Sequence, residues 1–408
     1  MALERERLLL IGAGMAANRL LGELADRCPD RYDVTVLGAE PHRPYNRILL
    51  SPLLGGEKHV DDLVLTESDA LSDARFHLGD AVVQLDRDQR VAVTESGARF
   101  SYDRLVLCTG SNPIRPNLPG SDLAGVHTFR DRADTDALID ATTTARHAVV
   151  IGGGLLGLEA ACGLARRGIK VAVVHLMNWI MERQLDPAAG ALLRASLETR
   201  GVDVITGGDT EAILGDERAT GLRLKDGREL PADLVVFAIG VRPNVTLAKS
   251  AGLTVGRGII VDDGLTTSDP AILAIGECVE HRGAVYGLVA PLWEQAAVTA
   301  AVLAGDDDSR YGGSWVSTSL KVTGVELFSA GDIQAAPDVE EIVFEDREAG
   351  IYRKLVVRNG RLAGAVLLGD ARDGAWYLDL IRSAANIESF RNDLIFGRDF
   401  IAMAEAAE

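Results

Sequence analysis

The chain has 408 residues, of which 47% are hydrophobic and 25% are charged, as is typical of a globular protein with two or three domains. Its 60 acidic and 42 basic residues give a net charge of −18, so binding to a nucleic-acid backbone has no electrostatic driving force. No stretch approaches the 18 consecutive apolar residues of a membrane-spanning helix, so no membrane partner is predicted.

The four cysteines are far apart in the sequence. None belongs to a CxxC pair, and zinc or iron–sulfur ligation needs clustered thiolates, so no metal site is predicted. The cysteines suggest no disulfide framework either, which is consistent with the reducing cytoplasm. We therefore expect a cytoplasmic protein with small, buried thiols at Cys28, Cys108, Cys162 and Cys278.

The first forty residues predict a dinucleotide-binding unit. An apolar run, 8–11, leads into a glycine turn with Gly12 and Gly14 at the first two positions and Ala17 at the third, which the fingerprint allows. A helix and a second strand follow. Glu40, just after that strand, is the acid expected to bind a ribose hydroxyl.

The segment 41–52 is rich in proline, which argues against a regular helix and predicts a loop that lies against a cofactor. Polar and apolar residues then alternate over 75–107, which predicts a small β-meander. It leads into a buried strand that ends in the turn Thr109-Gly110, and three prolines beyond it mark a linker.

A second glycine-rich motif of the same kind lies between an apolar strand at 147–151 and a helix. Gly152 allows the tight turn, Gly154 lets the backbone approach a pyrophosphate, and Gly157 lets helix and strand pack closely. The helix start offers N–H groups to the phosphates. Two such folds in one chain imply two dinucleotides, most economically FAD and a nicotinamide cofactor.

The rest of the chain supports an internal duplication. A strand ending in Gly240 resembles the strand before Gly110, and a later strand ends in Gly276-Glu277. A helix is predicted to begin near Ala290, and the last hundred residues predict a small α+β domain. The predicted fold is α/β, with two Rossmann-like domains and a C-terminal α+β interface domain. The predicted bounds are 1–113 with 241–308 for FAD, 114–240 for NAD(P)H and 309–408 for the interface domain.

The paired glycine motifs and the turns at Thr109, Gly240 and Gly276 resemble the two-dinucleotide-binding-domain flavoprotein reductases, which include rubredoxin and ferredoxin reductases, NADH oxidases and glutathione reductase. Longer segments resemble the FAD/NADH-binding region of the assimilatory NADH nitrite reductase large subunit. They are GAEPHRPYNRILLSPLLGGE (38–57), VVHLMNWIMERQLD (173–186), STSLKVTGVELFSAGD (317–332) and WYLDLIR (376–382).

This resemblance implies two sets of cofactor-binding residues. Those for FAD are Gly12, Gly14, Ala16, Glu40, Arg47, Thr109, Gly110, Arg130, Glu277 and Trp293. Those for NADH are Gly152, Gly154, Leu155, Gly157, His175 and Gly240. The helix that begins near Pro291 would aim its N-terminus at the flavin and stabilise negative charge on the reduced ring.

The resemblance also places Glu159 near the nicotinamide, as a tentative catalytic residue. Several relatives pair this glutamate with a lysine, but the corresponding place holds Pro52, so that ion pair is missing. At the end of the second domain's second strand, His175 replaces the acid that selects NAD. Arg183 is too far along the chain for an obvious 2′-phosphate clamp, so NADH is favoured over NADPH.

The implied function is an FAD-dependent NADH reductase in which hydride passes to the flavin and electrons then pass to a separate redox protein. The family's large subunit continues into a cysteine-rich 2Fe–2S module and a sirohaem region, which this sequence lacks. We therefore expect an electron-transfer subunit for a separate nitrite or nitrate reductase, or for a small iron–sulfur carrier. No cysteine lies between Cys28 and Cys108, which argues against disulfide reductases and thiol-type NADH oxidases.

Two alternatives remain open. One is a rubredoxin or ferredoxin reductase that serves another pathway, such as a monooxygenase. The other is a protein that binds FAD and NADH as a redox sensor or assembly module. The sequence does not give the oligomeric state.

Overall fold

The structure is a computed structural model that describes residues 5–65, 74–320, 322–334 and 336–405. Lys321, within one of the family-like segments, lies outside the described residues. The chain divides into two compact units. The first comprises Met1–Leu49, His59–Asn112 and Val241–Ser314, and the second comprises Leu50–Lys58, Pro113–Gly240 and Trp315–Glu408.

A parallel five-stranded sheet, the first sheet, forms the centre of the first unit. Its central strand begins with two exposed charged residues and is then apolar and buried over Leu8–Ile11, as expected where helices cover both faces of such a sheet. The helices Met15–Arg27 and Val289–Ala304 pack against each other in this unit. In sheet order the strands are Ile272–Ala274, Arg104–Leu107, Glu6–Ile11, Tyr32–Gly38 and Arg75–Leu78.

Smaller elements complete the first unit. A three-stranded antiparallel sheet and a parallel strand pair accompany the first sheet. These strands are Val82–Asp86, Val91–Thr94 and Arg99–Ser101, then Ile259–Val261 and Val279–His281. The remaining short elements are 3-10 turns at Arg47–Leu49 and Val60–Leu63, the helix Thr246–Ser250, and the strands Ser111–Pro113 and Val241–Pro243.

The second unit repeats the arrangement in a second parallel sheet. In sheet order its strands are Val202–Thr206, Lys170–His175, His147–Ile151, Leu234–Phe237 and Val126–Thr128. Its helices are Arg132–Ala141, Leu155–Arg166 and Pro187–Glu198, and Thr210–Leu214, Gly221–Leu224 and Glu229–Pro231 form an antiparallel sheet. In both parallel sheets the strand before the glycine turn lies between the next strand and the strand that ends near Gly110 or Gly240. The predicted internal duplication is therefore confirmed.

The C-terminal part of the second unit is an antiparallel sheet with helices. Its core includes Leu355, Leu367 and Tyr377, which are fully buried. In sheet order the strands are Ser317–Ser319, Leu327–Gly331, Arg361–Leu368, Ile351–Arg358 and Glu340–Asp346, the last at an edge. The helices are Gly374–Ser383 and Arg398–Glu405, with a 3-10 turn at Leu394–Phe396.

These observations confirm the predicted α/β fold with a C-terminal α+β part. Two local predictions were incomplete or wrong. The first strand of the predicted meander, Arg75–Leu78, joins the first sheet, and the three strands after it form an antiparallel sheet. The strand Arg104–Leu107 is the buried strand expected after the meander. The proline-rich segment contains a one-turn helix, Leu50–Leu54. Pro52 is tolerated there because a first-turn N–H has no partner within a helix.

The described residues contain no helix both long enough and apolar enough to cross a membrane.

Candidate functional site

The first glycine turn, residues 12–17, is held tightly against two strands. The Gly12 N–H donates to the Leu37 carbonyl at 2.8 Å, and the Cys108 N–H donates to the Ile11 carbonyl at 2.7 Å. Gly12 has φ +113°, and a Cβ added there would lie 2.2 Å from the Cys108 carbonyl oxygen. Only glycine fits this position without moving the backbone.

Gly14 differs from Gly12 because a Cβ added to it would meet no described atom within 4 Å. It is also the N-cap of the helix Met15–Arg27, which no side chain of the described residues caps. The first-turn N–H groups of a helix have no partners within the helix and lie at its positive end. An open cradle with N–H donors fits a pyrophosphate, so these residues fit the pyrophosphate of a dinucleotide such as FAD.

Glu40 lies beyond the strand Tyr32–Gly38, at the same sheet edge as the first glycine turn. The Tyr45 hydroxyl donates to Glu40 Oε2 at 2.7 Å, and Arg47 forms an ion pair with Glu40 Oε1. The Arg47 guanidinium also lies 5.0 Å from the centroid of the Tyr45 ring. The structure thus brings together the predicted residues Glu40 and Arg47, and adds Tyr45. A carboxylate has about four lone-pair sites, which leaves Glu40 able to accept from a ribose hydroxyl.

The predicted residues Thr109, Gly110 and Glu277 lie at the ends of neighbouring strands of the first sheet. Thr109 Oγ1 donates to the Asn244 carbonyl at 2.8 Å, and Gly110 has φ +65°. The Ser111 hydroxyl donates to Glu277 Oε2 at 2.6 Å. Sequence reasoning missed Ser111, although it directly follows the predicted turn.

The helix Val289–Ala304 lies at this edge of the first unit. Its buried Gln295 accepts, through Oε1, a 2.7 Å hydrogen bond from the Gly276 N–H. The predicted residue Trp293 is half-buried, and the Arg19 guanidinium lies 5.8 Å from its ring centroid. The amide of Gln295 therefore ties the turn before Glu277 to the helix that was predicted to face the flavin.

The second glycine turn, residues 152–157, repeats this geometry. Gly152 has φ +120°, and a Cβ there would lie 2.3 Å from the Ala238 carbonyl oxygen. A Cβ at Gly157 would lie 2.0 Å from the Gly152 carbonyl oxygen, whereas one at Gly154 would meet no described atom within 4 Å. The helix that begins at Leu155 has no side-chain cap among the described residues. This cradle also fits a dinucleotide pyrophosphate.

His175 ends the strand Lys170–His175 and is buried beside this turn. Its Nδ1 accepts a 3.0 Å hydrogen bond from the Gly153 N–H, and its Nε2 lies 2.9 Å from Glu182 Oε2. Sequence reasoning identified His175 but missed Glu182, which is seven residues further along the chain.

Glu159, on the helix Leu155–Arg166, accepts a 2.6 Å hydrogen bond from the Ser51 hydroxyl. Both residues line a cavity of about 120 Å³ with Cys162, Arg166 and other residues. The hydroxyl of Ser51, the residue beside Pro52, is therefore a partner that this chain offers Glu159.

Arg130 and Gly240, the remaining predicted residues, both lie in the second unit. Arg130 stands between the strand Val126–Thr128 and the helix Arg132–Ala141. Gly240 has φ +107°, and its carbonyl accepts a 3.0 Å hydrogen bond from the Ile114 N–H.

The thiols are not poised for nucleophilic chemistry. Burial raises the pKa of Cys108 and Cys278, and it raises the pKa of Cys162 to about 11. The four cysteines are unbridged. In the part of the chain that the structure describes, no group of three or more His, Cys, Asp or Glu side chains could hold a metal ion.

Comparison with known proteins agrees with this geometry. Residues 6–301 match the family model for pyridine nucleotide-disulphide oxidoreductases, and residues 317–385 match the C-terminal domain of rubredoxin NAD+ reductase. The chain is 45% identical to a nitrite reductase [NAD(P)H] of Bacillus subtilis, over 94% of this chain and 48% of that protein. It is 42% identical to the assimilatory nitrate reductase electron transfer subunit of the same organism, over 96% of this chain and 51% of that protein. The chain thus spans about half the length of these curated relatives.

Among solved structures, a ferredoxin reductase of Rhodopseudomonas palustris superposes with a TM-score of 0.83 at 27% identity, covering 94% of this chain and 98% of that one. The predicted resemblance to flavoprotein reductases and the prediction of FAD with a nicotinamide dinucleotide are confirmed. The chain belongs to the pyridine nucleotide-disulphide oxidoreductase family.

Proposed function

We propose that this chain passes electrons from NADH through FAD to a separate iron–sulfur or haem protein. In this proposal the acceptor belongs to an assimilatory nitrite or nitrate reductase system, and the protein works in the cytoplasm. The names of the two Bacillus subtilis relatives support the acceptor, and the unbridged cysteines are compatible with the compartment.

The first unit holds FAD in this proposal. The helix N-terminus at Gly14 takes the pyrophosphate, and Glu40 takes the adenosine ribose. Glu277, which accepts a hydrogen bond from the Ser111 hydroxyl, contacts the ribityl chain in this proposal. Of the predicted FAD residues, Arg130 alone lies in the other unit.

The second unit holds NADH in this proposal, with the helix N-terminus at Gly154 facing the pyrophosphate. The domain bounds follow the sequence: 1–113 with 241–308 for FAD, 114–240 for NADH, and 309–408 for an interface domain. The match of residues 317–385 to a reductase C-terminal domain supports the last of these.

When bound, the two cofactors supply the redox chemistry, in which a hydride passes from nicotinamide to flavin and electrons leave singly. The protein supplies orientation and electrostatics. Ser51 fixes the carboxylate of Glu159, and the buried thiols remain protonated because burial raises their pKa. The acidic balance of the chain, −18, suits a partner with a positive surface.

One observation carries this proposal. In each of the two parallel sheets, one strand is followed by a glycine turn. A Cβ at the first glycine of the turn, Gly12 or Gly152, would collide with a carbonyl oxygen, whereas a Cβ at Gly14 or Gly154 would meet no described atom within 4 Å. Such a pair of cradles, in a family of nicotinamide-dependent reductases, favours two dinucleotides bound by one chain.

The test is an anaerobic reduction of the FAD-loaded protein with NADH, followed by addition of an oxidised acceptor. We expect the flavin absorbance to bleach with NADH and to return when a nitrite or nitrate reductase from the same source is added. A protein that takes up no FAD, or whose flavin NADH does not bleach, contradicts the proposal. Bleaching without onward transfer to any acceptor indicates a redox sensor instead.

A rubredoxin or ferredoxin reductase is a second candidate, favoured by the C-terminal domain match. Faster return of the flavin absorbance with rubredoxin or a 2Fe–2S ferredoxin than with a nitrite or nitrate reductase would select it.

A further inference from the structure

The segment that follows His175 is fastened to the second glycine turn by both backbone groups of Gly153. The Gly153 N–H donates to His175 Nδ1 at 3.0 Å, and the Gly153 carbonyl accepts from the Met181 N–H at 2.9 Å. Since Nδ1 accepts, the ring proton sits on Nε2, which then donates to Glu182 at 2.9 Å. One imidazole therefore links the glycine turn to the Glu182 carboxylate.

The backbone turn that contains Glu182 also fixes the position of this residue. Met181 is buried with φ +53°, an uncommon conformation for a residue other than glycine. The Met181 carbonyl accepts from the Gln184 and Leu185 N–H groups at 2.8 Å each, which closes a turn around Glu182. Trp179 Nε1 donates to the Leu185 carbonyl at 2.9 Å. The Glu182 side chain is about one quarter exposed, so part of it can be reached by a ligand.

In dinucleotide folds, the adenosine ribose lies beside the glycine turn at the carboxyl end of the second strand, where an acid accepts from its 2′-hydroxyl. In this chain the strand ends in His175, and the nearest carboxylate that the structure ties to the turn is Glu182.

Resting on the proposed binding of a nicotinamide dinucleotide at this turn, we propose that Glu182 is the residue that selects NADH over NADPH. Its carboxylate accepts from the ribose 2′-hydroxyl and repels a 2′-phosphate, and His175 is the residue that positions it. A hydroxyl can donate to a carboxylate, whereas a phosphate dianion brings like charge against it. Arg183, the cation on the same turn, is exposed.

The test uses fragments without nicotinamide, so that it reads binding and not hydride transfer. Isothermal titration of the purified protein with ADP-ribose and with 2′-phospho-ADP-ribose gives the ratio of their affinities. We expect the unmodified protein to prefer ADP-ribose. Glu182→Gln keeps an acceptor for the His175 Nε2–H but removes the charge, and we expect it to reduce the preference about tenfold, or 1.4 kcal/mol. Most of this change should come from tighter binding of the phosphorylated fragment.

A matched control is Glu211→Gln, on the antiparallel strand Thr210–Leu214, which should leave the ratio unchanged. The double variant His175→Asp with Glu182→Gln places an acid at the strand end, within reach of the Gly153 N–H, and should restore the preference.

Two results would overturn the inference. One is an unmodified protein that prefers the phosphorylated fragment, which would make Arg183 the selective residue. The other is an unchanged ratio in Glu182→Gln while both fragments still bind; in that case the proposed reductase function stands if NADH bleaches the flavin. If neither fragment binds and NADH does not bleach the flavin, the proposed function fails together with the inference.

Discussion

The Ser51 hydroxyl donates a 2.6 Å hydrogen bond to the carboxylate of Glu159, 108 residues further along the chain. This contact gives Glu159 a hydroxyl partner beside Pro52, the position at which the resemblance implies a lysine in several relatives. Its energetic importance can be tested directly.

We expect Ser51→Ala to slow flavin reduction by NADH about tenfold, since a hydrogen bond to a charged group contributes about 1.5–3 kcal/mol. Stopped-flow absorbance measures this rate, and Ser51→Thr should retain most of it. The control is Ser196→Ala, on the helix Pro187–Glu198. Equal rates in Ser51→Ala and the unmodified protein would show that the contact has no role in the reaction.

Substitutions in the two glycine turns should abolish the binding of different cofactors. Gly12→Ala should lose bound FAD because its Cβ meets the Cys108 carbonyl oxygen, whereas Gly152→Ala should retain FAD and lose NADH binding. The flavin content after purification and an NADH titration measure the two effects. Gly22→Ala is the control, because a Cβ there meets no described atom within 4 Å and the helix should gain about 0.5–1 kcal/mol. Normal FAD content in Gly12→Ala would contradict the site.

Lys354 is a buried cation whose loss should destabilise the second unit. Its Nζ lies 2.8 Å from Glu341 and 3.4 Å from Asp186, and Asp186 also accepts from the Tyr352 hydroxyl at 2.6 Å. Removing one member of a buried ion pair costs about 3–5 kcal/mol. Because the Asp186 and Glu341 side chains are partly exposed, we expect Lys354→Met to lower the free energy of unfolding in urea by an amount near the lower end of this range.

The control for Lys354 is Lys225→Met, which breaks the exposed pair with Asp209. Exposed pairs contribute about 0–1 kcal/mol, so this variant should unfold close to the unmodified protein. A similar small effect in Lys354→Met would show that its buried charges stabilise little.

Stability at low pH should depend on Asp103. Hydrogen bonds from Arg7 lower the pKa of Asp103 from 3.8 to about 2. A lowered folded-state pKa means that the pair stabilises the protein above pH 3.8, and that this stability disappears as the pH falls through about 2. Because the pair is substantially exposed, we expect less than about 1 kcal/mol. Thermal unfolding from pH 5 to pH 2 should show a shallower decline in stability for Asp103→Asn than for the unmodified protein. The control is Asp30→Asn, which breaks the exposed pair with Arg5 and should decline like the unmodified protein.

The fold and both glycine turns could be predicted because each depends on residues that are adjacent in the sequence. Gly12 and Gly152 are parts of short motifs with fixed spacing, and hydrophobic strands flank both. The fold class and the family were accordingly correct. Glu40 was predicted from its place after a strand and Arg47 from the resemblance, and the structure brings the two side chains together.

The side-chain partners could not be predicted because tertiary structure creates them. Ser51 meets Glu159 only after the chain has formed the second unit; the resemblance indicated the adjacent position, Pro52, but not Ser51 as a partner. Glu182 reaches His175 through a turn in which Met181 adopts a left-handed conformation, for which the sequence gives no glycine or asparagine signal. Pro52 was interpreted as a helix breaker. In the first turn of a helix, however, the missing proline N–H costs no hydrogen bond, because an N–H there has no partner within the helix.

The edge strand Glu340–Asp346 has a consequence for self-association. If two copies paired antiparallel along this edge with Val343 opposite Val343, Glu340 would face Asp346 and Glu341 would face Glu345. Like charges directly opposite each other destabilise a strand pair, so the acidic residues disfavour pairing along this edge, to the extent that their ion pairs with Arg391, Lys354 and Arg347 leave charge uncompensated. Exposed Val343 and Phe344 can therefore remain on this strand without drawing a second copy into a continuous sheet.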